Sequence, residues 1–276
     1  MSDRDAWNSD PAASEPGSPA SRHSRSAPVA SDDMLQSADH LIQLALDEDL
    51  DQRGDITTAA MIPPNATAEV RIVAREPGVL AGGVLIECVY QALAKRQRSD
   101  GESADVGSVC VEHLLPDGAE LKAGTVAAKL SGPVRSLLSG ERVVLNFLMH
   151  LSGVASLTAA FVQKVRDSGA VILDTRKTLP GYRLLQKYAV RCGGGSNHRM
   201  GLFDGMLIKD NHLAAQSSRS PAEAVSVARG YLNSAGLSVP VEIEVDTLDQ
   251  LSDALSQRPE IVLLDNMSPT QLLKAV

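Results

Sequence analysis

Val171-Ile172-Leu173-Asp174, Met206-Leu207-Ile208-Lys209-Asp210, Val241-Glu242-Ile243-Glu244-Val245-Asp246 and Ile261-Val262-Leu263-Leu264-Asp265 are four short apolar runs, each closed by an aspartate. Helical spacing follows three of them, over residues 180–191, 221–233 and 247–257, and another helix is expected from 268. Short apolar strands alternating with helices specify a parallel sheet, whose strands are covered on both faces. Polar residues at the carboxyl ends of parallel strands are where α/β barrels keep their chemistry. An open doubly wound sheet is the competing architecture. No Gly-x-Gly-x-x-Gly follows any of the four runs, which counts against a dinucleotide fold.

The chain changes style upstream of residue 169. Residues 139–166 give the longest helical stretch, with Leu145, Leu148, Leu151, Ala155 and Leu157 as its apolar stripe and Gly153 as a candidate break into two helices. Residues 106–135 hold short Val-rich strands punctuated by Pro116-Asp117-Gly118, Ala123-Gly124 and Gly132-Pro133, the rhythm of a small β layer. Residues 67–74 alternate as a strand, and Val84 to Ala94 are spaced as a helix. Lys122 and Lys129 lack the hairpin setting of a biotinyl or lipoyl carrier lysine. Helical spacing begins near Met34, with Ser31 or Asp32 as its cap. Arg53-Gly54-Asp55 is expected to be a turn rather than an adhesion signal. In residues 1–33, Ser, Ala, Pro and Gly fill 19 positions and Leu, Ile and Phe are absent, so too little apolar surface exists to offset ordering entropy. That segment, with Trp7, the only Trp, is expected to be a disordered tail. The expected division is a tail over 1–33, an N-terminal α+β domain over 34–168, and a (β/α) domain over 169–276.

Composition narrows the function classes. The 276 residues carry a net charge of −8 and only 3% aromatics, against a nucleic-acid-binding surface. Cys88, Cys110 and Cys192 are too widely spaced for a metal-ligand pair or a disulfide framework, so a reducing, cytoplasmic setting is expected. No stretch approaches 18 uninterrupted apolar residues, so no membrane span is expected.

Four clusters carry candidate chemistry. Asp174-Thr175-Arg176-Lys177-Thr178 follows the first run, and two adjacent cations there call for an anion. In Cys192-Gly193-Gly194-Gly195-Ser196-Asn197-His198-Arg199 the glycines permit close backbone approach to a ligand, and His198 and Arg199 supply donors. Ile208-Lys209-Asp210-Asn211-His212 is the third. Residues 174–212 hold seven Lys or Arg against three Asp, a local surplus in an acidic chain that fits an anionic small ligand. Arg183, Lys187 and Arg191 are expected only to decorate a helix face. In the fourth cluster, alternation puts Glu242, Glu244 and Asp246 on one strand face near Asp265. Those acids suit either Mg²⁺ with sugar hydroxyls or salt bridges to the neighbouring cations.

Taken in order, Asp49…Arg53-Gly54-Asp55-Ile56-Thr57-Thr58, Ser139-Gly140-Glu141-Arg142, the 174–178 and 193–199 clusters, Leu207-Ile208-Lys209-Asp210-Asn211-His212, Val241–Asp246 and Leu263-Leu264-Asp265-Asn266 resemble quinolinate phosphoribosyltransferase, the carboxylating nicotinate-nucleotide pyrophosphorylases, from about residue 35 onward. The resemblance implies a pentosyl-transferring glycosyltransferase of NAD biosynthesis. Quinolinate and phosphoribosyl pyrophosphate would give nicotinate mononucleotide, pyrophosphate and CO₂, with Mg²⁺. It implies substrate binding by Arg142, Arg176, Lys177, His198, Arg199 and Lys209. Catalysis would fall to Lys177, Lys209, Glu244 and Asp265, with Glu244 and Asp265 near the metal. It also implies a homodimer in which Arg142 completes the partner's site, and no nucleic-acid or membrane partner.

The family continues beyond the Leu-Leu-Asp-Asn strand, whereas this sequence stops at Val276. The expected architecture is therefore α/β, an N-terminal α+β sandwich domain followed by an incomplete, open (β/α) barrel whose C-terminal units are missing. Two alternatives follow: an inactive or anion-binding paralogue, and a Schiff-base lyase using Lys177 or Lys209.

Overall fold

The computed structural model describes residues 28–99, 108–215 and 220–276. Of the expected tail, residues 1–27, with Trp7, lie outside the described residues. Helix α1 (Asp32–Leu50) starts where Ser31 Oγ accepts from the Met34 amide at 3.3 Å, and Asp32 and Asp33 complement its positive end. Its buried stripe runs through Met34, Ala38, Ile42, Leu46 and Leu50. Helix α2 (Ile56–Met61) is capped by Asp55, which accepts from the Thr58 amide at 2.9 Å and from Ser139 Oγ at 3.2 Å. Burial raises the Asp55 pKa, but these hydrogen bonds outweigh it and hold the carboxyl below its ordinary value. The Arg-Gly-Asp turn thus supplies a helix cap.

Strands β1 (Thr67–Val73) and β2 (Gly78–Val79) lead to α3 (Leu85–Ser99), then β3 (Cys110–Leu114), β4 (Glu120–Leu121) and β5 (Val126–Pro133). They pair antiparallel as β1-β5-β3 and β2-β4, the small β layer expected from the sequence. Helix α4 (Val134–Val165) lies across this layer. It is a single helix through Gly153, where a glycine costs about 1 kcal/mol relative to alanine. Packing carries it past that point, since Leu151 and Ala155 on either side are fully buried. Ser152 Oγ accepts from the Ala81 amide at 3.0 Å and Ser156 Oγ from the Val79 amide at 2.8 Å. By length and composition α4 is long and apolar enough to cross a membrane, although polar residues interrupt its apolar run. Here its buried stripe, including Val143, Phe147 and Leu151, packs against α1, α3, β2 and β5.

Downstream come α5 (Arg183–Cys192), β6 (Met206–Ile208), α6 (Asp210–Ala214), α7 (Pro221–Ala235), β7 (Val241–Val245), α8 (Leu248–Leu255), β8 (Ile261–Leu264) and α9 (Pro269–Ala275). Capping boxes start three of these helices: Ser220 with Glu223, Thr247 with Gln250, and Ser268 with Gln271. Strands β6, β7 and β8 form a parallel sheet in that order, and β7 is buried on both faces. The run 171–174 is not a full strand. It joins the fold through one parallel bridge, Leu173 to Ser196, and leaves Val171 and Leu173 exposed.

The chain is mixed α/β with two apolar cores. One joins α1, α3, α4 and the β layer, and the other joins β6–β8 to α7 and α8. Helix α5 belongs to the first core, through Leu185, Tyr188, Ala189 and Cys192. Its Tyr188 hydroxyl donates at 2.7 Å to buried Asp117, which also accepts from the amides of Gly82 and Gly83 at 3.1 and 2.8 Å. Burial pushes the Asp117 carboxyl above its ordinary value, against the pull of these hydrogen bonds.

A Cβ at Gly153 meets nothing within 4 Å. Gly153→Ala is therefore expected to stabilise the protein by about 0.5–1 kcal/mol in urea denaturation. Destabilisation would mean that the helix needs glycine there.

Candidate active site

The polar groups that the sequence places at strand ends collect beside the carboxyl ends of β6, β7 and β8. The centre is an ion pair that helical patterning concealed. Lys187, expected to decorate α5, is 1% exposed, and its Nζ engages Asp174. The same Nζ donates to the His198 carbonyl at 2.8 Å. Asp174 Oδ1 accepts from the His198 amide at 2.9 Å, and Oδ2 accepts from Asn197 Nδ2 at 2.6 Å. Asn197 Nδ2 also reaches the Lys187 carbonyl at 2.9 Å. A lysine flanked at i−2, i+1 and i+2 by core residues Leu185, Tyr188 and Ala189 was the available signal.

Around this pair stand the expected cations. Arg199 is buried and donates through Nη1 to the Gly205 carbonyl at 2.9 Å. Burial and the facing Arg176 guanidinium lower its pKa, with Glu242 and Asp204 opposing. Arg176 and Arg199 are therefore electrostatic neighbours. The Nε of half-buried Arg176 is shielded from solvent and has no hydrogen-bond partner among the described residues. His198 Nε2 meets Glu242 Oε2 at 2.7 Å. Lys209 Nζ meets Glu244, and exposed Lys177 follows Arg176 in the 174–178 turn. Glu242 and Glu244 reach neighbouring cations from alternate positions of β7, as strand alternation requires.

Two expected groupings differ. Asp265 lies beyond β8 with Asp246, both accepting from Asn266 Nδ2 at 3.2 Å, while Glu244 is occupied by Lys209. Exposed Arg142 sits on α4, about 20 Å of helix before Ala155, which touches Gly193. Among the described residues its guanidinium makes no hydrogen bond or ion pair with Glu242 or Glu244, which His198 and Lys209 meet. The glycines also serve another purpose. A Cβ at Gly193 would lie 2.3 Å from the Ala155 carbonyl, and one at Gly195 would lie 2.9 Å from Thr158 Cγ2. These two glycines let the loop rest closely on α4. Burial and Asp117 push the Cys192 thiol up to about 12, so this cysteine is not a nucleophile.

The loop after Arg199 is also fixed. Asp204 accepts from the amides of Met200 and Gly201 at 2.6 and 2.8 Å. Burial raises its pKa, but those amides outweigh it and the net shift is downward. Arg183 bridges Thr178 Oγ1 at 3.2 Å and the Met200 carbonyl at 3.1 Å, so it braces two site loops. Among the described residues, no group of three or more His, Cys, Asp or Glu side chains is placed to hold a metal ion. A cage for a bare ion is thus not built; Mg²⁺ needs only one or two protein carboxylates besides substrate phosphates, and Glu244 and Asp265 are acids at the carboxyl ends of adjacent strands. A cluster of cations backed by carboxylates suits a small ligand carrying more than one negative charge.

The N-terminal-domain model of the quinolinate phosphoribosyl transferase family matches residues 55–152, and its C-terminal-domain model matches residues 154–276. The nicotinate-nucleotide pyrophosphorylase [carboxylating] of Mycobacterium leprae (strain TN) is 43% identical over 248 residues, covering 90% of this chain and 82% of the relative. The probable enzyme of that name from Bacillus subtilis (strain 168) is 41% identical over 216 residues, covering 78% and 68%. The crystal structure of NadC from Streptococcus pyogenes superposes with a TM-score of 0.75 at 40% identity, covering 87% of this chain and 79% of the other.

Proposed function

The chain belongs to the quinolinate phosphoribosyltransferase family, and on that premise we propose that it is a carboxylating nicotinate-nucleotide pyrophosphorylase of NAD biosynthesis. It transfers phosphoribosyl from phosphoribosyl pyrophosphate to quinolinate, releasing pyrophosphate and CO₂. The observation that carries this reading is the clustering of Arg176, Arg199 and His198 around Glu242, with Lys209 meeting Glu244 on the same strand face.

Quinolinate is a dianion with adjacent carboxylates. Arg176, Lys177, His198, Arg199 and Lys209 supply the charge to bind it, each charge-assisted hydrogen bond contributing about 1.5–3 kcal/mol. The bond between the ribosyl anomeric carbon and the pyrophosphate oxygen breaks, and the electron pair leaves with pyrophosphate. The pyridine nitrogen donates its lone pair to that carbon. Lys177 and Lys209 offset charge on the leaving group, while Glu244 and Asp265 stabilise the electron-poor ribosyl carbon and hold its hydroxyls. The alkylated nitrogen is positive, so the neighbouring ring carbon keeps the electron pair when its carboxylate departs as CO₂, and a proton then fills that position. Glu244 and Asp265 would hold Mg²⁺, which supplies charge neutralisation for the pyrophosphate when bound.

Three finer points belong to the same reading. Strands β6–β8 with the 171–174 segment form an arc of a (β/α) barrel, preceded by an α+β domain over 34–168. Arg142 acts in a homodimer, completing the partner's site, which its exposed position on α4 fits. The protein works in the cytoplasm, which its free cysteines fit. The Schiff-base alternative gains nothing from the geometry, since Lys209 is engaged by Glu244.

Radiolabelled quinolinate should release CO₂ only when phosphoribosyl pyrophosphate is present, and Arg199→Ala should cut kcat/KM by about ten- to a hundredfold. Release without the donor, or binding with no release, would reject the reaction. For the dimer, Arg142→Ala and Lys177→Ala chains, each inactive alone, should regain activity when mixed as subunits. Mixed dimers that stay inactive would place Arg142 outside the partner's site.

A further inference from the structure

The segments carrying Arg176-Lys177 and His198-Arg199 are joined by little regular backbone pairing. One bridge, Leu173 to Ser196, connects them, through the Asp174 amide to the Ser196 carbonyl at 3.1 Å and the Ser196 amide to the Ile172 carbonyl at 2.8 Å. The ladder stops there, two residues short of His198. Yet these segments bring like charges together, Arg176 lying close enough to lower the Arg199 pKa. Something other than a strand ladder must hold the second segment in place.

The Lys187–Asp174 pair takes that role. Asp174 Oδ1 accepts the His198 amide at 2.9 Å, and Lys187 Nζ donates to the His198 carbonyl at 2.8 Å. Both backbone polar groups of His198 are therefore held by the two halves of one buried ion pair. Asn197 closes the clamp by donating to Asp174 Oδ2 and to the Lys187 carbonyl. Because Asp174 lies two residues before Arg176, the same carboxylate fixes where the first cation pair begins. We propose that Lys187 is a positioning residue that, through Asp174, sets the spacing between Arg176-Lys177 and His198-Arg199 so that together they span two adjacent carboxylates. The proposal rests on the quinolinate reading above and assigns the discrimination of a dicarboxylate from a monocarboxylate to a residue that need not touch substrate.

The test uses the full chain and three variants. Lys187→Met/Asp174→Asn removes the ion pair without leaving an unpaired buried charge. It should raise the quinolinate KM by about ten- to a hundredfold while the phosphoribosyl pyrophosphate KM stays within about twofold. Lys187→Arg keeps both donations and should restore the quinolinate KM to within about threefold of the starting value. Asn197→Ala loosens only the second clamp and should raise the quinolinate KM in the same direction by a smaller factor, which keeps the test decisive if the double variant does not fold. Thermal melting is followed in parallel, with kinetics well below the midpoint. A lowered midpoint with unchanged quinolinate KM in the folded variants would overturn the proposal and leave the pair a packing element. An unaltered chain that neither binds quinolinate by calorimetry nor turns it over would instead overturn the functional reading, and this proposal with it.

Discussion

A buried lysine and aspartate hold the site together. Lys187 and Asp174 are both almost wholly removed from water and pair with one another. Removing one partner of such a pair costs about 3–5 kcal/mol, because the survivor is left uncompensated. Glu242 meets His198, and Glu244 meets Lys209, whose side chain is partly exposed. The site is thus a set of basic side chains placed by acids of the sheet.

The pair is anchored because α5 faces two ways. Lys187 and Tyr188 are consecutive, about 100° apart around the helix. One points to the strand-end loops, and the other donates to Asp117, which in turn holds the Gly82-Gly83 turn of the N-terminal layer. Gly193 and Gly195 bring the following loop against α4 at Ala155 and Thr158. The cation pocket therefore depends on the β layer and its long helix as much as on the parallel sheet. Close packing of this kind transmits displacement, since well-packed interiors have little room to yield.

Much of this was legible in the sequence, and the omissions have physical causes. The apolar runs ending at Asp210, Asp246 and Asp265 marked β6, β7 and β8; β7 is buried on both faces and needs no alternation, while β8 leaves Ile261 and Leu263 exposed. The run at 171–174 had the same composition but only one bridging partner, and composition does not count partners. Glu242 and Glu244 were placed on one strand face by their period of two, but which cation each would meet depends on the positions of other loops. Lys187 escaped because a lysine on an amphipathic helix ordinarily lies in water, and the residue that makes it buried, Asp174, is distant in sequence and paired only by the fold. The glycines after Cys192 suggested close approach to a ligand; that Gly193 and Gly195 also pack against α4 is a long-range contact invisible to local pattern. Gly153 drew attention as a break, yet burial on both sides kept α4 whole.

The central claim is that buried acids arrange these cations to read two carboxylates at once. Calorimetric titration of the unaltered chain with quinolinate and, separately, with nicotinate tests it most directly, because the two ligands differ by one carboxylate on the same ring. The account predicts that quinolinate binds at least about tenfold more tightly, the value of a single charge-assisted contact. Equal affinities would contradict it.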